Sequence, residues 1–229
     1  MQEKFSTSQQ KALTDYLDQF VTEERKKRFH EILNNRLGHM HVVLEDVYQA
    51  HNASAVLRSA DCFGIQHVHF IEDRNRYKVS EDVALVASQW VDIHRHSSTR
   101  KTLADLKERG FRIIATTPHT NDKTIYDLDI SGKFALVFGT ELDGITKDVL
   151  DVADEFVKIP MYGFTESFNI SVSAALCMHE LSHKIREEVK EPYLSAEEKE
   201  RIYLDWLRKS IKKCDLVVKD FFRKNPHLS

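Results

Sequence analysis

Three short segments of this 229-residue sequence gather the side chains whose types and spacing can do chemistry. The first, His51 to Gly64, reads HNASAVLRSADCFG. In a helix, Ser54, Arg58 and Asp61 share one face while Val56, Leu57, Ala60 and Phe63 turn inward, since positions three and four apart are neighbours. The planar guanidinium of Arg58 matches a phosphate. On spacing alone, a surface pair with Asp61 worth at most ~1 kcal/mol is the simpler reading. The second segment is FALVFG, ending at Gly139, followed by Thr140, Glu141, Leu142, Asp143 and Gly144. A strand ending in Gly-x-Glu-x-x-Gly exposes backbone amides and carbonyls at the carboxyl edge of a sheet, where open α/β sheets bind ligands. An ordinary strand-to-helix turn with Glu141 in solvent fits as well. The third, IPMYGFTESFNISVS from Ile159 to Ser173, crowds hydroxyls and an amide at a helix start. Free N–H groups and the helix dipole favour a polar or anionic ligand there. Capping needs only Ser167 or Asn169, and the polar density among Ile170, Val172, Ala174, Ala175 and Leu176 exceeds that need.

A fourth pattern competes for the same helix. Met178–His183 contains HExxH, which places His179 and His183 on one helical face with Glu180 as a general base for zinc hydrolysis. No third ligand stands at a recognisable spacing, and a chain with 12 histidines meets this pattern by chance. The HMH, HVH and HRH stretches read as alternating strand residues rather than ligands. No metal is expected.

The elements that must position these segments alternate between strand and helix. Residues 1–36 read as helix, with Leu13, Tyr16, Leu17 and Phe20 at helical spacing and Phe29, Ile32 and Leu33 after an acidic turn. HVVLED (41–46) and HVHFIE (67–72) predict strands, separated by a helix that Asn52 caps and Gly64 stops. Ser80-Glu81-Asp82 opens a helix towards Trp90, VDIHRH is a strand, and Thr99 to Arg109 is a helix ended by Gly110. FRIIATT, FALVFG and EFVKIP complete the strands, and a long helix runs from Asn169 to about Val189. After Pro192, Ser195 caps a final amphipathic helix bearing Ile202, Trp206, Leu207, Ile211, Leu216 and Val217. This order predicts an α/β fold, a mostly parallel sheet covered by helices on both faces. Helical extensions occupy residues 1–38 and 191–229 around a central domain of residues 39–190. Only seven glycines occur, and Gly139, Gly144 and Gly163 lie within one 25-residue stretch. Glycine at a strand end often permits close approach of backbone to a ligand.

Bulk properties exclude several classes. Hydrophobic residues at 41% and charged residues at 30% suit a globular protein with a real core. No apolar run approaches the roughly 20 residues that span a bilayer, and MQEKFSTSQQ lacks a basic-then-apolar leader pattern. Both readings place the protein in the cytoplasm, without a membrane partner. Cys62, Cys177 and Cys214 are three, widely spaced and without CxxC, which fits reduced thiols. The net charge of −3 hides a −7 balance over residues 41–183 and +5 over residues 199–229. A basic end on an acidic body suggests a local polyanion contact; a solvated Lys-rich face accounts for the charge alone.

Taken together and in order, the three segments resemble the signature motifs of the SpoU/TrmH family of the SPOUT class. Asn52, Ala55, Arg58, Ser59, Ala60 and Gly64 match N-x-x-A-x-x-R-[ST]-A-x-x-x-G. Gly139 to Ile145 matches G-x-E-x-x-G-[IM], and Ile159 to Ser171 matches I-P-M-x-G-x-x-x-S-[L]-N-[VI]-S apart from Phe168, where the family usually has Leu. The resemblance covers about residues 23–185 and lies nearest the tRNA branch, whose short helical N-terminus this chain shares. It implies a deep trefoil knot in the C-terminal part of the sheet, an exception to the usual topology rules, and a homodimer with its active site at the interface. It also implies S-adenosylmethionine as cofactor, held by Thr116, Gly139, Ile159 and Phe168 largely through backbone. Asn52, Arg58, Glu141, Ser167 and Asn169 would be the catalytic group. The implied reaction is methyl transfer to a ribose 2′-hydroxyl of RNA, guanosine 18 in the tRNA D-loop, with ribosomal RNA as the alternative substrate and no DNA. Arg208, Lys209, Lys212 and Lys213 of the basic end would contact the RNA, with S-adenosylhomocysteine left as product. Two rivals remain in view: a non-catalytic RNA-binding protein on the same fold, which the intact polar set argues against, and a Rossmann-type methyltransferase, which lacks its G-x-G after the first strand.

Overall fold

The computed structural model describes residues 5–47, 49–72, 89–118, 123–140 and 144–226. In chain order the helices are α1 (Thr7–Leu17), α2 (Glu23–Asn34), α3 (Ala50–Phe63), α4 (Thr99–Glu108), α5 (Lys147–Val152), α6 (Ile170–Glu188), α7 (Ala196–Ser210) and α8 (Cys214–Lys224). The strands are β1 (Met40–Glu45), β2 (His67–Ile71), β3 (Asp92–His96), β4 (Arg112–Thr116), β5 (Lys123–Thr124), β6 (Phe134–Phe138) and β7 (Glu155–Lys158). Two compact units result, one from Leu37 to Tyr193 and one from the chain up to Arg36 together with the chain from Leu194. The sequence separates the two ends as extensions; in the structure α1, α2, α7 and α8 form a single unit.

The first unit is an α/β sheet of seven strands in the order β3-β2-β1-β6-β4-β7-β5, every pairing parallel. Parallel strands need helical crossovers, which cover both faces, so the central strands must be apolar throughout. β1, β2 and β6 are buried along their whole length. Side chains alternate between faces: Val42, Leu44, Leu136 and Phe138 meet α3 and α6, while Val43, Ala135 and Val137 meet α4 and α5. The predicted α/β class and double coverage are those of the structure. The predicted helix from Ser80 lies outside the described residues. The two-residue β5 was not visible in the sequence, because two residues give no periodicity to read.

The histidine-rich stretches do alternate, and their side chains then meet. His41 Nδ1 lies 3.0 Å from His69 Nε2, His69 Nδ1 lies 3.0 Å from His96 Nε2, and His67 Nδ1 lies 3.1 Å from His94 Nε2. Burial, then neighbouring imidazoles, push His69 down to about 2 and His94 down to about 4. Those two rings are therefore neutral at neutral pH.

In the helical unit, Leu13, Leu17, Phe29, Leu33, Ile202, Trp206, Leu207 and Phe221 form the apolar interior. Phe29 sets its ring edge-on to Trp206 at 5.5 Å. Thr22 caps α2, and Ser195 with Glu198 forms a capping box at α7. The single C-terminal helix read from the sequence is two helices. Ile211 is extended and Lys213 left-handed, at φ 57°. The break turns Cys214, Val218 and Phe221 inward and leaves Leu216 61% exposed.

Candidate active site

All strands run the same way, so the carboxyl ends of β4, β6 and β7 open on one edge, beside the N-terminus of α6. A cleft of about 720 Å³ lies there, lined among others by Thr116, Gly139, Ile159, Ser167, Phe168 and Asn169. The four residues expected to hold a cofactor thus share one cavity. Its walls include Phe138, Ile145, Val157 and Ile170. The Thr116 hydroxyl donates to Val137 O at 2.9 Å, which ties the end of β4 to β6. Residues 159–169 form neither strand nor helix, and irregular backbone carries amides and carbonyls that no ladder consumes. Cys177 also lines the cavity. Burial pushes its thiol up to about 12, and it is a protonated wall rather than a nucleophile.

Gly139 is required for a reason the sequence did not reveal. A Cβ there would stand 2.2 Å from Gly144 O and 2.5 Å from Ile145 N. The close approach is to its own loop. Thr140 N donates to Gly144 O at 2.8 Å and Gly144 N returns a bond to Thr140 O at 3.2 Å. Gly144 sits at φ 68°, in the region glycine favours. Gly163 has open space around its Cα and an ordinary φ, so nothing in its surroundings demands glycine.

A buried carboxylate fixes the far side of this loop. Glu45, at the end of β1, is fully buried. Its Oε1 accepts from Thr99 Oγ1 and Thr146 Oγ1, both at 2.7 Å, and its Oε2 accepts from Thr146 N at 3.2 Å. Thr146 in turn caps α5, and Thr99 opens α4. The carboxylate therefore serves two helix N-termini, where negative charge is stabilising. Sequence reasoning missed it; a glutamate closing the apolar run HVVLE was the available signal.

Asn52 is not the cap of α3. Gln49 holds that place, and Asn52, in the first turn, is 1% exposed. Its Nδ2 donates to Gln49 Oε1 at 3.2 Å, and its Oδ1 accepts from Asn169 Nδ2 at 3.2 Å. Asn169 caps α6, its Oδ1 accepting from Ser171 N at 2.8 Å and from Ser171 Oγ at 2.6 Å. The first and third segments are thus joined by an amide–amide bond 117 residues apart in sequence. Gln49, a cleft residue, was also missed, since glutamine before a helix is an unremarkable signal.

The remaining residues divide. Arg58 is exposed, does not line this cleft and forms no hydrogen bond or ion pair among the described residues. The pairing with Asp61 is therefore absent. Glu141 lies outside the described residues. The HExxH residues do not converge: His183 Nε2 faces Glu187 at 3.4 Å and the His179 ring packs edge-on against Phe63. At the basic end, Lys209, Lys212 and Lys213 are exposed. Arg208 is half-buried, 5.7 Å over the Phe5 ring and 3.8 Å from Asp215. No helix among the described residues is long and apolar enough to cross a membrane.

Residues 39–179 match the SpoU rRNA Methylase family. A tRNA (guanosine(18)-2′-O)-methyltransferase of Borreliella burgdorferi is 37% identical over 88% of this chain and 92% of its own length. One from Thermus thermophilus is 32% identical over 82% of this chain and 98% of its own. Among solved structures, the A. aeolicus TrmH/SpoU tRNA modifying enzyme superposes with a TM-score of 0.73 at 28% identity, over 83% of this chain and 98% of that one.

Proposed function

The chain belongs to the SpoU rRNA methylase family, and from that premise we propose that it methylates the 2′-hydroxyl of guanosine 18 in the D-loop of tRNA. The observation that carries this reading is the cleft, lined together by Thr116, Gly139, Ile159, Ser167, Phe168 and Asn169, the last of which is bonded to the buried Asn52. The residues present fit S-adenosylmethionine. The volume lies within the roughly 300–1,000 Å³ of small-molecule pockets, the walls combine apolar side chains such as Phe138, Ile145 and Val157 with polar ones such as Thr117 and Ser173, and the irregular backbone of residues 159–169 offers main-chain groups. Phe168, 43% exposed, flanks the pocket where the family usually has Leu.

When bound, the cofactor supplies a methyl group on a positively charged sulfur, open to in-line attack by a hydroxyl oxygen. The protein must place that oxygen and remove its proton. A guanidinium is a poor base, so Arg58 serves as a cation. Its planar fork grips the phosphate beside the ribose, and a phosphate oxygen takes the 2′ proton. Asn52, held by Gln49 and Asn169, and Ser167 orient the ribose and the guanidinium, and Glu141 completes the set.

Two features support a homodimer with the site at its interface. Arg58 stands outside the chain's own cleft, so a second copy can bring it to the ribose. Tyr162, Phe164, Val172 and Leu176 are exposed apolar side chains from the cleft segment and α6. The same reading includes the family's trefoil knot in the C-terminal part of the sheet. The helical unit, with Lys209, Lys212 and Lys213 exposed, holds the tRNA by salt-sensitive phosphate contacts, and the enzyme works in the cytoplasm. The test is incubation with methyl-labelled S-adenosylmethionine and unmodified tRNA or ribosomal RNA, followed by mass spectrometry of nucleosides. Label as 2′-O-methylguanosine in the D-loop is expected. Label in ribosomal RNA alone overturns the substrate, and absence of label in either overturns the activity.

A further inference from the structure

We propose that His67, Asp92 and His94 form a binding site for a divalent transition-metal ion of the zinc class, away from the methyl-transfer cleft. The pairing of β2 with β3 puts His67 beside Asp92 and His69 beside His94. Residues two apart on a strand share a face, so the three side chains converge on one point. His67 Nδ1 lies 3.1 Å from His94 Nε2 and 3.6 Å from Asp92 Oδ2, and the three donor atoms all lie within 4.8 Å of one another. In a tetrahedral zinc site with metal–ligand bonds of about 2.0–2.2 Å, ligand atoms stand about 3.3–3.6 Å apart. The His67–Asp92 separation lies at the upper end of that range and the His67–His94 separation just below it. Two imidazoles and one carboxylate are ligands zinc accepts, with water as the fourth.

The surroundings hold these donors still. The His69 ring stacks on His94 at 4.6 Å with planes 19° apart, and the His41 ring lies 4.4 Å from His67. Asp92 N donates to Gln66 O at 2.8 Å, which fixes the start of β3 against the chain entering β2. Among the described residues this is the one group of three or more histidine, cysteine or acidic side chains close enough to share an ion. The HExxH motif of α6 supplies no such group. The site sits towards the amino ends of β2 and β3, whereas the cleft opens at the carboxyl ends of β4, β6 and β7. A bound ion would clamp the edge strand β3 to β2.

The test is titration of the chelator-stripped, full-length protein with zinc alone and with cobalt alone, read by elemental analysis and by cobalt absorption. One equivalent per chain in a four-coordinate site is expected. In His94→Gln and Asp92→Asn, affinity falls by more than the roughly 10–100-fold that loss of an outer partner costs, and His183→Gln leaves it unchanged. Substoichiometric uptake overturns the proposal, as does full uptake by both ligand variants. Should either variant not fold, ring ¹⁵N signals of the unaltered chain decide: zinc must move His67 and His94, and unmoved signals overturn the site.

Discussion

In the four-helix unit the interior is apolar and aromatic, with Arg36, stacked 5.5 Å over Trp206, as its buried charge. In the sheet unit the interior holds Glu45, Asn52, Thr99, Thr146 and a row of histidines. Burying polar groups is costly unless each finds a partner. In the sheet unit Glu45 and Asn52 find partners that also align elements. Glu45 ties β1 to two helix starts, and Asn52 ties α3 to α6. The helical unit displays Lys209, Lys212 and Lys213 at the surface. Chemistry is positioned from inside in one unit, and charge is displayed outside in the other.

Four changes sharpen or break this contrast. Arg58→Ala should lower turnover by about 10²–10³-fold or more, the range for losing one transition-state donor. Cofactor affinity and the unfolding midpoint should stay put, because Arg58 is exposed and unpaired among the described residues; normal turnover would remove it from the reaction. Glu45→Ala strands buried donors on Thr99 and Thr146 and should cost about 3 kcal/mol in urea unfolding. A cost under about 0.5 kcal/mol would show that the carboxylate aligns nothing. Replacing Lys212 and Lys213 together by Ala should weaken tRNA binding about tenfold at moderate salt and flatten its salt dependence by about two phosphate contacts. Cofactor binding should not change, and an unaltered salt slope would take these lysines out of the interface.

The smallest effect concerns His39, whose Nε2 lies 2.8 Å from Ile130 O. Burial lowers its affinity for a proton, Lys133 and Arg112 push the same way, and the bonds to Ile130 and Gly132 partly oppose them. Because the folded pKa lies below the unfolded value near ~6.5, the unfolded chain takes the proton first as pH falls. Stability should therefore decline as pH drops through that value, with no contribution above it. His39→Gln should flatten the slope between about pH 7 and 5; an unchanged slope would assign the acid sensitivity elsewhere.

Periodicity and caps made most of the sheet unit legible, because parallel strands and their crossovers must be continuously apolar. The motif positions pointed to Thr116, Gly139, Ile159 and Phe168, which the structure gathers in one cleft. What stayed hidden depended on long-range partners. Asn52 reads as a cap until Asn169 arrives from 117 residues away. At Gly139 the sequence shows a strand end, but not that Gly144 closes on it. The bend at 211–213 carries neither glycine nor proline, so nothing in SIKKC marks it. The histidines alternate visibly, but their meeting depends on strand register, which one sequence does not specify.

The proposed acceptor is one hydroxyl, the 2′-OH of guanosine 18. Two tRNA transcripts, identical except that one carries 2′-deoxyguanosine at position 18, should be offered with labelled S-adenosylmethionine. Label is expected in the ribose transcript and none in the deoxy one. Equal labelling of both would place the methyl group elsewhere and contradict the assignment.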